Sequence, residues 1–102
     1  MNKPVVWSEK AKKELIRLKE FYDERNKSSN YSKKLFKTFQ DASKLIGRFP
    51  YLSIATDYNN VRGFLILDFI IFYEIVDKHI LILFIWDCHR DPEQLRSILG
   101  KY

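Results

Sequence analysis

Three runs in the second half of the chain, VRGFLIL at 61–67, FIIFYEIV at 69–76 and ILILFIW at 80–86, consist almost wholly of β-branched, aromatic and leucine residues. Such residues fit a pleated surface, and each run has the length of a strand. The runs are nearly continuous in apolar side chains, where a half-exposed strand would alternate. The sheet they predict therefore needs cover on both faces, and the rest of the chain must supply it or leave a face to a partner.

Two helices can supply one layer. Lys3 to Trp7 reads as a short extended segment, and Ser8 stands where an N-cap would, its hydroxyl able to accept from the free amides of the next turn. Ala11, Leu15, Leu18 and Tyr22 then recur at helical spacing, which predicts a first helix to about Arg25. After the polar break Asn26 to Asn30, a second stripe runs through Tyr31, Leu35, Phe39, Ala42, Ile46 and Phe49. Gly47, as a left-handed C-cap, and Pro50, which cannot continue a helix, supply its stop signals. The second layer is expected from the short apolar stripe Leu95, Ile98 and Leu99, or from a partner protein.

Turn chemistry between the strands is uneven. Asp77, Lys78 and His79 form a plausible hairpin loop, and Asp57, Asn59 and Asn60 lie in the loop before the first run. Between the first two runs only Asp68 interrupts, so that hairpin is left open by the residues themselves.

The 102 residues are expected to form one domain, 1–102, with no linker or repeat. A single cysteine, Cys88, precludes an intrachain disulfide, a CxxC pair and a thiolate metal site, and a reducing cytoplasmic compartment fits best. MNKPVVW lacks the apolar core of a signal peptide, and the longest apolar run, Ile80 to Trp86, is far below the roughly 18 residues of a membrane span. His79 and His89 do not have metal-ligand spacing, and Gly47, Gly63 and Gly100 are too isolated for a phosphate loop. No metal, cofactor, small-molecule ligand or membrane partner is expected.

The net charge of +5 is unevenly placed: residues 1–50 hold 13 Lys/Arg against 6 Asp/Glu, and residues 51–102 hold 5 against 7. A basic first half suggests an acidic partner, either nucleic acid or an acidic protein segment. Glu9, Glu14, Glu20 and Glu24, interspersed with the lysines, tip the balance slightly towards ordinary solvated helix faces.

The element order β-α-α-β-β-β with a short C-terminal helix resembles the RelE/ParE superfamily of toxin-antitoxin toxins. The resemblance is carried by Trp7-Ser8 opening the first helix, "FP" at 49–50 ending the second, "VRGFLI" at 61–66, "FIIFYEI" at 69–75 and "ILILFIWDCHRDPEQL" at 80–95. It implies an α+β fold with a helical hairpin packed on a mainly antiparallel sheet, a strand hairpin within Leu67 to Phe69, and a cognate antitoxin as partner. It also implies one of two actions, ribosome-dependent mRNA cleavage or inhibition of DNA gyrase, and fold alone does not choose between them.

Metal-free RNA cleavage requires a base for the ribose 2′-hydroxyl, an acid for the leaving oxygen and cations near the phosphate. By the resemblance, the candidates are Arg62, whose fork of donors suits phosphate, with His89 and Arg90 at the end of the last strand. Structural roles stand beside these: Arg62 pairing with Asp68 or Asp87, His89 as a surface residue, and Asp91-Pro92 as the cap and first position of the last helix, which is the preferred reading of that dipeptide. Tyr73, Phe72 and Trp86 read as core or interface residues. Two departures weaken the nuclease pattern: Tyr51 to Val61 contains no lysine or arginine, and no tyrosine follows the last strand before Tyr102. Many ParE-like relatives have arginine where this chain has His89. The ParE-like branch is favoured; RelE-type cleavage, and a degenerate member that only binds antitoxin, are the alternatives.

Overall fold

The computed structural model describes residues 3–58 and 60–102; Met1, Asn2 and Asn59 of the expected loop lie outside them. In chain order the elements are β1 (Val5–Trp7), α1 (Glu9–Asn26), α2 (Asn30–Arg48), β2 (Ile54–Ala55), β3 (Val61–Ile66), β4 (Phe69–Val76), β5 (His79–Asp87) and α3 (Pro92–Leu99). The strands form one sheet in the order β1-β5-β4-β3-β2. Among the described residues β1 and β5 run parallel and the other neighbouring pairs antiparallel. A parallel pair cannot be closed by a tight turn, and the α1–α2 hairpin lies within the connection.

Ser8 links three elements. Its N–H donates to Ile82 O at 3.0 Å and ends β1, its Oγ accepts from Ala11 N at 3.1 Å and caps α1, and its hydroxyl donates to Leu83 O at 2.8 Å. The start of the last helix is capped in the same local way: Asp91 accepts from Glu93 N, and Pro92 opens α3.

Both sheet faces are covered. On one, Ala11 of α1 and Leu35, Phe39, Ala42 and Ile46 of α2 pack on Phe69, Ile71, Tyr73, Ile80, Ile82 and Ile85. On the other, Leu99 with the half-buried Leu95 and Ile98 packs on Val61, Phe72, Leu83, Phe84 and Trp86. A bulge governs this division. Phe72 pairs with Phe84 but Tyr73 with Ile82, so Leu83 is an extra residue in β5. Ile82 faces the helical hairpin, Leu83 and Phe84 both face α3, and Ile85 returns to the hairpin side. A bulge adds one residue and reverses the parity of the strand residues beyond it. Trp86 owes its position under α3 to that reversal.

Several expectations are corrected. The ends of the α2 stripe, Tyr31 and Phe49, are exposed; Phe49 lies past the last helical residue, Arg48, and Tyr31 packs on Tyr22 of α1. Gly47 is not a left-handed cap: it lies inside α2, and a Cβ there would meet Lys3 O at 2.9 Å and Val5 Cγ2 at 3.1 Å. Its bare Cα lets the strand entering β1 lie against the helix, where Lys3 N donates to Gly47 O at 2.9 Å. The open hairpin exists, turning on Leu67 and Asp68 with Leu67 at φ 53°. The two-residue strand β2 was not expected at all. No helix among the described residues is long and apolar enough to cross a membrane.

Candidate functional site

Arg62 sits at the start of β3, opposite Ala55 of β2 and Tyr73 of β4. It makes no ion pair with Asp68 or Asp87. Its Nε donates to Ser53 Oγ at 3.1 Å, and one terminal nitrogen donates to Ser53 O at 2.6 Å and Tyr51 O at 3.3 Å. The guanidinium also lies 5.2 Å from the Tyr51 ring centroid. From below, the buried Tyr73 hydroxyl donates to Pro50 O at 2.6 Å and shares a hydrogen bond with Ser53 Oγ. Arg62 and Tyr73 thus fasten the segment from α2 to β2. The sequence concealed this because the terminal guanidinium nitrogen donates to the backbone carbonyls of Tyr51 and Ser53, which carry no residue identity.

His89 and Arg90 lie just past β5, at the opposite end of the sheet. Register makes the separation plain: Arg62 is level with Tyr73 and Ile82, whereas Asp87, where β5 ends, is level with Phe69 and Ile66. Four residues along β3 amount to about 13 Å. Acid, base and phosphate-binding cation must all reach one phosphate within hydrogen-bond range, and these three side chains do not converge.

Asp87 organises the turn after β5. Its Oδ1 accepts from His89 N at 2.9 Å and lies 2.8 Å from His89 Nδ1, leaving the imidazole mostly in solvent. Arg90 places its guanidinium 4.5 Å over the Trp86 ring and donates to Gln94 Oε1 at 3.3 Å. A planar cation held on an indole face keeps its edge available to a carboxylate or phosphate.

Arg90 also lines a groove of about 290 Å³ between α1 and the end of β5, together with Glu14, Arg17, Phe21, Phe69 and Ile85. Glu14 accepts from Ile85 N at 2.8 Å. Burial raises its carboxyl above the ordinary glutamate range, against the lowering effects of that hydrogen bond and of Lys10, Arg90 and Arg17. Phe21 is 55 % exposed at the rim. Sequence reasoning missed Glu14, Arg17 and Phe21 as neighbours of Arg90, since only the docking of α1 on β5 brings them there. Cys88, exposed beside this turn, has its thiol raised by desolvation and by Asp87 and Asp68, which makes it a poor nucleophile. Among the described residues no cluster of His, Cys, Asp or Glu is arranged to hold a metal ion.

Comparison with known proteins gives two findings. The family model described as ParE toxin of type II toxin-antitoxin system, parDE, matches residues 5–92. A solved structure described as the chromosomal ParDE TA system from P. aeruginosa superposes with a TM-score of 0.71 at 17 % identity, covering 81 % of this chain and 92 % of that one. At that identity the likeness shows the fold. No match was found among curated proteins.

Proposed function

The chain belongs to the family of ParE toxins of type II toxin-antitoxin systems, and from that premise we propose that it stops growth by gripping a protein target, with DNA gyrase favoured, until a cognate antitoxin masks it. The observation that supports binding over RNA cleavage is the separation of Arg62 from His89 and Arg90 across the sheet. A nuclease needs those groups on one phosphate. A binding toxin needs only a presented surface. In this reading Arg90, seated on Trp86 and flanked by His89 and by the groove holding Arg17 and Phe21, contacts an acidic part of the target, while Arg62 holds the loop after α2 in place.

Induction of the chain without antitoxin, accompanied by parallel assays of DNA supercoiling and of mRNA ends, tests this. Growth arrest with impaired supercoiling and intact message is the expected result. Cuts in translated message with normal supercoiling would replace the proposal with RNA cleavage, and undiminished growth at full expression would indicate a member that only binds antitoxin.

A further inference from the structure

We infer that the outward face of α2 is a contact surface for the sugar-phosphate backbone of duplex DNA; this goes beyond the protein contact proposed at Arg90 and does not depend on it. The excess positive charge is divided unequally between the two long helices. α1 carries six Lys/Arg against five Asp/Glu, and two of its lysines meet carboxylates one turn away, Lys12 with Glu9 at 3.5 Å and Lys19 with Asp23. α2 carries five against one. That one carboxylate, Asp41, lies 3.6 Å from Lys37 with both side chains exposed, so it offsets little of the charge.

The unbalanced charges are also aligned. At the α-helical repeat, Asn30, Lys33, Lys37, Gln40, Lys44 and Arg48 fall within an arc of about 80° on the side opposite the buried Leu35, Phe39, Ala42 and Ile46, and all six are exposed. The arc holds four cations and two amides, with no acidic or apolar side chain; Asp41 stands at its margin. Lys33 to Arg48 spans about 22 Å of helix axis, and duplex DNA presents a phosphate every ~1.7 Å of its own axis, so several phosphates come within reach of the line. Lys33 with Lys37, and Lys44 with Arg48, are four residues apart, a spacing at which like charges destabilise a helix. A polyanion laid along the arc removes that repulsion. At the far end Lys3 joins Gln40, Lys44 and Arg48 around a groove of about 610 Å³ whose lining includes no carboxylate among the described residues. A membrane surface calls for apolar side chains beside the cations, and a protein partner for a buried aromatic or aliphatic anchor. The arc offers neither, whereas cations and amides together meet a nucleic-acid backbone.

The test uses the full chain and a short fluorescent duplex of mixed sequence, with binding followed by anisotropy between about 50 and 200 mM salt. The wild type should bind, and log K should fall against log salt with a slope of about −3.5, as four phosphate contacts require. Lys33→Gln/Lys37→Gln/Lys44→Gln, all at exposed positions, should weaken binding at least ~10-fold and bring the slope to about −1. Glutamine suits a helix about as well as lysine, so the melting temperature should stay level or rise as repulsion is relieved. The control Lys12→Gln/Lys13→Gln/Lys19→Gln removes the same charge from exposed positions on α1 and should weaken binding by less than about threefold. Equal losses in the two variants would reduce the effect to net charge and overturn the inference, as would no duplex binding at the lowest salt. Anionic phosphatidylglycerol vesicles or poly-glutamate bound as tightly as the duplex would overturn it too, assigning the stripe to a membrane surface or to an acidic protein segment.

Discussion

The backbone N–H of Ile85 ends on a side-chain carboxylate, Glu14 Oε1 at 2.8 Å, where a neighbouring strand would ordinarily offer a carbonyl. β1 stops at Trp7, level with Ile82, so beyond that point β5 has no strand on this side. Ser8 takes the Leu83 carbonyl and Glu14 takes the Ile85 amide, and α1 thereby closes an edge that would otherwise invite pairing.

Glu14 makes stability depend on pH. Because its folded pKa is raised above the unfolded value, mainly by burial, the stability it contributes is full below the ordinary glutamate value and is lost as pH rises through the raised one. Glu14→Gln keeps an oxygen for Ile85 and removes the charge. Thermal melts across mildly acidic pH should show a flatter profile for the variant and equal or higher stability at neutral pH. A steeper profile would be the contrary result.

Arg62→Ala should cost about 2 kcal/mol of unfolding free energy, since it deletes charge-assisted bonds to Ser53 and Tyr51. In the reading proposed above, it reduces growth arrest only in proportion to folded protein. Denaturant titration alongside induction checks both; full stability with complete loss of arrest would make Arg62 a contact residue.

Arg90→Ala should reverse that pattern. The side chain is exposed and its partners are Trp86 and Gln94, so stability should move by no more than about 0.5 kcal/mol while target inhibition falls strongly. His89→Gln should give a smaller loss, because Asp87 already orients the turn through the His89 backbone. Inhibition unaffected by Arg90→Ala would remove this face from the proposed contact.

Leu67, 60 % exposed at φ 53°, occupies a backbone region that a branched aliphatic residue adopts at a cost. Leu67→Asn should stabilise the chain by about 0.5 kcal/mol, since asparagine tolerates the left-handed region. Chemical denaturation measures this directly, and a loss of stability would mean that the leucine side chain is itself anchoring the hairpin.

Helices and strands were readable where one local signal sufficed. Ser8 and Asp91 cap the helices they precede because an N-cap depends on a side chain and an amide three or fewer residues away. The strand runs were readable from their residue types. Gly47 was misread because its local signal, glycine near a helix end, fits a C-cap, whereas the observed reason is contact with Lys3 and Val5 more than forty residues away. β2 and the Leu67 turn lack the usual residues, and pairing with β3 and β4 defines them instead.

By itself the sequence determined the helices, the three long strand runs and the need for two covering layers, though not β2, because propensity, capping and apolar periodicity are local properties of the chain. Only the tertiary structure decided which residues share a face and an end of the sheet. The Leu83 bulge turns Trp86 towards α3, where Arg90 covers it. Register sets Arg62 at one end and His89 at the other, and the docking of α1 brings Glu14 to Ile85. A one-residue shift in a strand reverses every side chain beyond it, and nothing in the apolar run Ile80 to Trp86 marks where that shift falls.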